Sequence, residues 1–380
     1  MQKFLQLVMV FILALIATSG AASQDLLKAD LPNAHTENPA KMRLTAPGGA
    51  TNDTWTSGGP IGAGNVTCLA IAPSNPDVMY AGSEGEIFKT SDGGATWTGV
   101  GVIYKYFGDT PTTSSATILD LQVAPDNPEV VYAGTKTGIN ISQNGGRDWT
   151  NTWPGTWVVV NSIAVDPSNP KNILIGTGHS TYQLSDEVIG IFKSTDGGST
   201  WQEKLPRGPS GEALHAVHAI LFDTNNPQTV YAGTQKYDNP AGYNGGLRKS
   251  IDGGETWSPL KVNSVDDVYA LAMTPAGFSP TIYAYAYGFD KDIYASTDDG
   301  VTWVPLENPD PAAGVPNVLR PFMVVDPGNP KQFYSSGPDS LYKYDSSTEQ
   351  WTEIAPGVFS IRPVSMVIHP QNGDMFVLSL

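Results

Sequence analysis

An all-β fold, a β-propeller of four-stranded antiparallel blades, is the architecture the sequence predicts, and three observations predict it. The 380 residues include 40 Gly and 30 Pro, a density of turn formers that suits many short strands and argues against a helical bundle. A motif, S/T-x-D-x-G-x-T-W, stands at 90–97, 194–201, 250–257 and 296–303, weakened to SQNGGRDW at 142–149. A second marker, of the type DPSNP, stands at 72–76, 124–128, 166–170, 223–227 and 326–330, ahead of the boxes ending at Trp97, Trp149, Trp201 and Trp257 and of a degenerate one ending at Trp351. Counted from Trp55, the box tryptophans fall at 97, 149, 201, 257, 303 and 351, spacings of 42 to 56 residues, which is the length of one propeller blade.

In chain order, residues 1–23 read as a signal peptide, with Lys3 before an apolar run from Phe4 to Ile16 and small residues after it. That run is shorter than the ~20 residues a bilayer requires, so no stable membrane insertion is expected after cleavage. Residues 24–50, with Pro32, Pro39, Pro47, Gly48 and Gly49, read as a disordered lead-in, and 51–380 as one propeller domain. Each unit then reads as strand A, an Asn-Pro turn, strand B, a variable loop, strand C, the Asp-containing turn, and strand D beginning at the Trp. Units fall at roughly 66–101, 117–153, 158–205, 214–260, 268–306 and 319–355. Val364–His369 and Met375–Leu380 supply strands A and B of a seventh. The strand at Trp55 is expected to serve as its strand D and close the ring, leaving that blade incomplete, with no residues for strand C.

In the recurrent turn, Asp92, Asn144, Asp196, Asp252 and Asp298 are expected to accept hydrogen bonds from their own backbone, while Gly94, Gly198, Gly254 and Gly300 supply positive φ. Trp97, Trp149, Trp201, Trp257 and Trp303 offer large apolar faces to wedge between neighbouring sheets. These are structural pins rather than catalysts. The boxes resemble the Asp-box, or BNR, repeats of sialidases, sortilin-type receptor propellers, xyloglucan-cleaving hydrolases and photosystem assembly factors. The opening WTSGGPIGAGNVTCLAIAPSNPDVMYAGS, 55–83, is similar to the first blade of sortilin-like and xyloglucanase-like members. The resemblance covers roughly residues 51–380 and implies a fold more narrowly than an activity.

The A–B and C–D turns, both regular, share one face, and the varied B–C and D–A loops share the other, where binding chemistry is expected. Its long loops are 179–190 and 235–246. Tyr104, Trp153, Trp157, Tyr182, Asp186, Tyr237, Asp238 and Tyr243 are the candidate ligand residues, rings to stack on apolar faces and carboxylates to take hydroxyls or amides. No member of this set is a catalyst. The xyloglucanase resemblance implies a cleft between two propellers with one aspartate from each; at the first-blade position this chain has Glu84, beside Glu86, and a single propeller. A sialidase-like site would need three converging arginines, and only Arg207, Arg320 and Arg362 of the six arginines are placed to converge.

A formal charge of −16 repels a phosphate backbone, so nucleic acid is excluded as a partner. His215 and His218, three apart on a predicted strand, point to opposite faces and form no chelating pair. With no zinc spacing, phosphate loop or dinucleotide fingerprint, neither metal nor cofactor is expected. The lone cysteine, Cys68, leaves an exported chain without an internal disulfide. The reading that follows is a secreted or periplasmic monomer that binds an extracellular glycan or protein without catalysis. Its alternatives are an Asp-box-class glycoside hydrolase, xyloglucanase-like before sialidase-like, and an assembly scaffold for a partner protein.

Overall fold

A computed structural model describes residues 42–44, 55–57, 65–107, 110–153, 158–178, 188–206, 216–235, 246–262, 267–287, 292–306, 322–337, 340–354 and 363–379. All of these lie in one compact unit, Asn38–Leu380. The signal-peptide stretch 1–23 and most of the lead-in lie outside the described residues.

Among the described residues the strands form seven four-stranded antiparallel sheets and one two-stranded hairpin. Blade 1 is Cys68–Ile71, Met79–Gly82, Glu86–Thr90 and Thr98–Val102. Blade 2 is Ile118–Ala124, Asn127–Thr135, Gly138–Ser142 and Thr150–Asn151. Blade 3 is Val160–Val165, Ile173–Thr177, Gly190–Ser194 and Gln202–Pro206, and blade 4 is Val217–Phe222, Val230–Thr234, Gly246–Ser250 and Ser258–Leu260. Blade 5 is Asp267–Met273, Ile282–Tyr287, Asp292–Ser296 and Val304–Leu306, and blade 6 is Met323–Val325, Gln332–Ser336, Leu341–Asp345 and Gln350–Glu353. In each the four strands are ordered A to D as along the chain.

The seventh sheet departs from expectation. Pro363–Ile368 and Met375–Ser379 are strands A and B, Met42–Leu44 is the third strand, and Trp55–Ser57 is the fourth. Met42 pairs with Val377 on one side and Ser57 on the other. The blade is therefore complete, and strand C comes from the stretch expected to be unstructured. Three residues, MRL, carry too little pattern to read as a strand between Pro39 and Pro47; pairing on both sides supplies what propensity does not.

Apolar cores lie between blades. Trp149 packs between blades 1 and 2 with Tyr80, Ile87 and Ile118, and Trp201 between blades 2 and 3 with Ile141 and Ile173. Trp257, Trp303, Trp351 and Trp97 fill the corresponding layers at blades 3/4, 4/5, 5/6 and 7/1. Each box Trp thus faces the preceding blade. Close approach of the next strand A is set by glycine at the end of strand B. A Cβ on Gly134 would stand 2.8 Å from the Val160 carbonyl, on Gly176 2.6 Å from Val217 Cγ1, and on Gly233 2.7 Å from the Val268 carbonyl.

The box turn is organised by two side chains. Asp196 Oδ1 accepts from Thr200 N at 2.9 Å and Oδ2 from Thr200 Oγ1 at 2.6 Å. Beneath it, Ser194 Oγ accepts from Gly198 N at 2.8 Å and donates to Asp196 Oδ1 at 2.8 Å. The same arrangement holds at Thr90–Asp92, Ser250–Asp252 and Ser296–Asp298. In blade 2 Asn144 Oδ1 accepts from Asp148 N at 3.0 Å. Gly94, Gly146, Gly198, Gly254 and Gly300 all have φ between 82° and 91°.

Candidate active site on the variable-loop face

The C–D turns bond to the A–B turns of their own blades, as Gly93 N to the Asp77 carbonyl at 3.0 Å and Gly197 N to the Lys171 carbonyl at 3.0 Å. That side is one regular surface. The box aspartates and asparagine, Asp92, Asn144, Asp196, Asp252 and Asp298, belong to it, and their side-chain oxygens serve their own turns. Hydrogen bonds from the Thr96, Thr200 and Thr256 hydroxyls, then from the backbone of the same threonines, hold Asp92, Asp196 and Asp252 at about 2.

On the opposite face, backbone hydrogen bonds tie the first-blade B–C turn. Ser83 N donates to the Glu86 carbonyl at 3.0 Å, Gly85 N to the Ser83 carbonyl at 2.8 Å, and Ile103 N to the Gly85 carbonyl at 2.7 Å. Gly85 has φ 103°, and a Cβ there would lie 2.2 Å from Ser115 Cβ. The turn is glycine by necessity. Glu84 and Glu86 flank it, both exposed, so a fixed backbone presents two carboxylates to solvent. Ser115 ends a hairpin, Tyr104–Phe107 paired with Thr110–Ser115, in the D–A connection between blades 1 and 2. Tyr104 on it is 46% exposed.

Trp153 packs edge-on against Phe192, with centroids 4.7 Å apart at 80°, in the blade 2/3 layer. Trp157, Tyr182, Asp186, Tyr237, Asp238 and Tyr243 lie outside the described residues, as do His215, Arg207, Arg320 and Arg362. Of the candidate ligand residues, the described ones are therefore Tyr104 and Trp153.

The inner strands carry a feature the sequence reading missed. Their free edges are capped from the preceding blade: Asp120 Oδ2 accepts from Ile163 N at 2.7 Å, Ser162 Oγ from Ile220 N at 3.0 Å, and Ser365 Oγ from Leu69 N at 3.1 Å. Just above these caps the register slips, skipping Asn161, His218, Tyr269 and Val364 in blades 3, 4, 5 and 7. These are β-bulges, so the alternation assumed for His218 fails at that residue. A polar residue, Asp120 or Ser162, where the strand pattern calls for a buried side chain was the available signal. Among the described residues no group of three His, Cys, Asp or Glu side chains stands close enough to hold a metal ion.

No family model matches the sequence. Over 259 residues the chain is 25% identical to xyloglucanase Xgh74A of Acetivibrio thermocellus, a match covering 58% of this chain and 29% of that protein. The chain thus spans less than a third of that relative's length. The GH74 xyloglucanase from Xanthomonas campestris superposes with a TM-score of 0.59 at 19% identity, over 90% of this chain and 52% of that one. A structure of YCF48 bound to D1 peptide gives 0.55 at 12% identity, over 90% of this chain and 97% of that one. The fold is that of a β-propeller. The expectation of a non-catalytic binder is overturned, because the relatives matched in sequence are xyloglucanases, which favours the alternative of a glycoside hydrolase.

Proposed function

We propose that the chain is a glycoside hydrolase propeller acting on xyloglucan, with Glu84 as one of its two working carboxyls. The observation that carries the reading is the likeness to a xyloglucanase over 58% of the chain. Glu84 supports it, because it stands where the xyloglucanase resemblance implies an aspartate and because its turn is locked by Gly85. Glycoside cleavage requires two carboxyls roughly 5–10 Å apart across the scissile bond, one to protonate the leaving oxygen. Glu84 supplies one of them, and for the chain to cleave by itself the variable-loop face of the same propeller must supply the other. Such a group works by position, and a turn bonded at Ser83, Gly85 and Ile103 holds its Cα without cost at the moment of reaction. A neutral polysaccharide suits an acidic surface, and export through residues 1–23 suits a polymer outside the cell.

Reducing-end release from xyloglucan tests the reading. Wild-type protein is expected to release oligosaccharides, and Glu84→Gln to lower the rate by about 100-fold or more, the scale of a general acid. Glu86→Gln is expected to retain most of it. Full activity in Glu84→Gln would remove the residue from the mechanism; absence of both release and retention on xyloglucan would remove the substrate.

A further inference from the structure

Four of the box turns join a carboxylate to a hydroxyl. Oδ2 of Asp92, Asp196, Asp252 and Asp298 accepts from Oγ1 of Thr96, Thr200, Thr256 and Thr302, each at 2.6 Å. Blade 2 inverts that polarity. Asp148 stands where the others have threonine and, as a carboxylate, only accepts. Asn144 stands where they have aspartate and donates through Nδ2 to Asp148 Oδ2 at 2.8 Å. Asn144 Oδ1 still accepts from Asp148 N at 3.0 Å and from Ser142 Oγ at 3.1 Å, so both ends of the amide are used. The pair works only as an amide against a carboxylate. The residue after Asn144 is Gly145, and a glycine leaves its nitrogen unobstructed beside the asparagine side chain, the sequence in which an asparagine amide is most readily lost in water. Asn144 is half-buried and Asp148 exposed, so water reaches both. The turn restrains each reacting group: Gly145 N donates to the Glu129 carbonyl at 2.8 Å, and the amide nitrogen that would depart is the one bonded to Asp148.

We propose that Asn144 is a deamidation site guarded by the closed box turn. When the turn opens, the Gly145 nitrogen attacks Asn144 Cγ; the new C–N bond forms, the Cγ–Nδ2 bond breaks, and ammonia leaves with the glycine proton. Water then opens the cyclic imide at either carbonyl, leaving aspartate or isoaspartate at 144 and one more negative charge. Aspartate is the residue of the other boxes, yet the product does not close as they do. Its carboxylate meets the Asp148 carboxylate where theirs meet a hydroxyl, and two like charges at that separation repel. An opening that ends in reaction is therefore one-way. The site lies on the box-turn face, away from Glu84, and is independent of what the chain cleaves.

Peptide mapping by mass spectrometry tests this on the full chain, incubated in mildly alkaline buffer either folded or in urea sufficient to unfold it. The peptide holding Asn144 is expected to convert from amide to acid about tenfold or more faster in urea, because reaction in the folded chain is scaled by the opening of the turn. Asn144→Asp, the product itself, is expected to melt below wild type. Asn144→Asp combined with Asp148→Thr, which gives blade 2 the pairing of the other boxes, is expected to regain the difference. Conversion at equal rates in folded and unfolded chains, or in neither, overturns the guarded site. Asn144→Asp melting like wild type, or the double variant melting as low as the single one, overturns the one-way step. If Asn144→Asp fails to fold, the double variant decides: its folding supports the clash of carboxylates and its failure removes it, while the conversion rates are read from wild-type protein in either case.

Discussion

Ser194 is 1% exposed and Asp196 lies at the surface of the same turn. The hydroxyl, not the carboxylate, is the buried member of the pair, since it takes Gly198 N and Asp196 N and has no water to replace it. Removing a buried acceptor costs about 1–3 kcal/mol, whereas a solvent-screened carboxylate contributes about 1 kcal/mol or less. Ser194→Ala is therefore expected to lower the melting temperature more than Asp196→Ala, the reverse of what the prominence of the aspartate in the motif suggests. The aspartates show themselves in acid. Asp92, Asp196 and Asp252 are held at about 2 in the folded chain, against ~3.9 when unfolded. Folded values below unfolded ones mean that their stabilisation is complete above about pH 4 and lost as pH falls toward 2. Melting curves from pH 5 to pH 2 are expected to show that decline, and Asp196→Asn to reduce its depth. An acid profile identical in Asp196→Asn would show the carboxylate to be idle.

Strands are tied to neighbouring blades by contacts that can be broken one at a time. Gly233 ends strand B of blade 4 where blade 5 comes closest, and an added methyl would meet the Val268 carbonyl backbone at 2.7 Å. Backbone cannot swing aside as a side chain does, so Gly233→Ala is expected to destabilise by about 1–3 kcal/mol, the range of overpacking. Gly197→Ala meets nothing within 4 Å, though at φ 75°, and separates backbone strain from crowding. Between blades 3 and 4, Lys193, 7% exposed, reaches Glu255 Oε1 at 2.7 Å, and Lys204 reaches Oε2 at 2.6 Å. Those two ammonium groups lower the Glu255 carboxyl below its usual range. Glu255→Gln leaves a buried ammonium without its counter-charge, while Lys193→Met removes the need for one; chemical denaturation is expected to find the first variant the less stable. These elements were readable in the sequence to unequal degrees. The box turns and VYAG strands repeat, so their periodicity and turn chemistry were visible. The bulges at Asn161, His218 and Tyr269 were not, because one extra residue in a strand leaves the apolar pattern on either side intact.

The ring as a whole was legible, since tryptophans recurring at 42 to 56 residues count the blades. The candidate site was not, because the loops that vary most, at 179–190 and 235–246, carry no repeat against which a functional residue stands out. Glu84 was found only through resemblance. The seam was half-read: Trp55 joins the last blade, but through Met42–Leu44, which separates it from Met375–Ser379. Arg43 pairs with Thr56 and Phe376 at once, so Arg43→Pro is expected to unzip the sheet and lower the melting temperature markedly, with Arg43→Ala near wild type. Equal melting of the two would show that this strand does not close the ring. The seam also sets a timetable. Met42 cannot meet Val377 until the ribosome has made the residues between them, which at ~5–20 residues per second takes on the order of tens of seconds. Met42–Leu44 thus pairs long after it is made, and blades 1 and 6 stay unjoined at this seam until Val377 has been made.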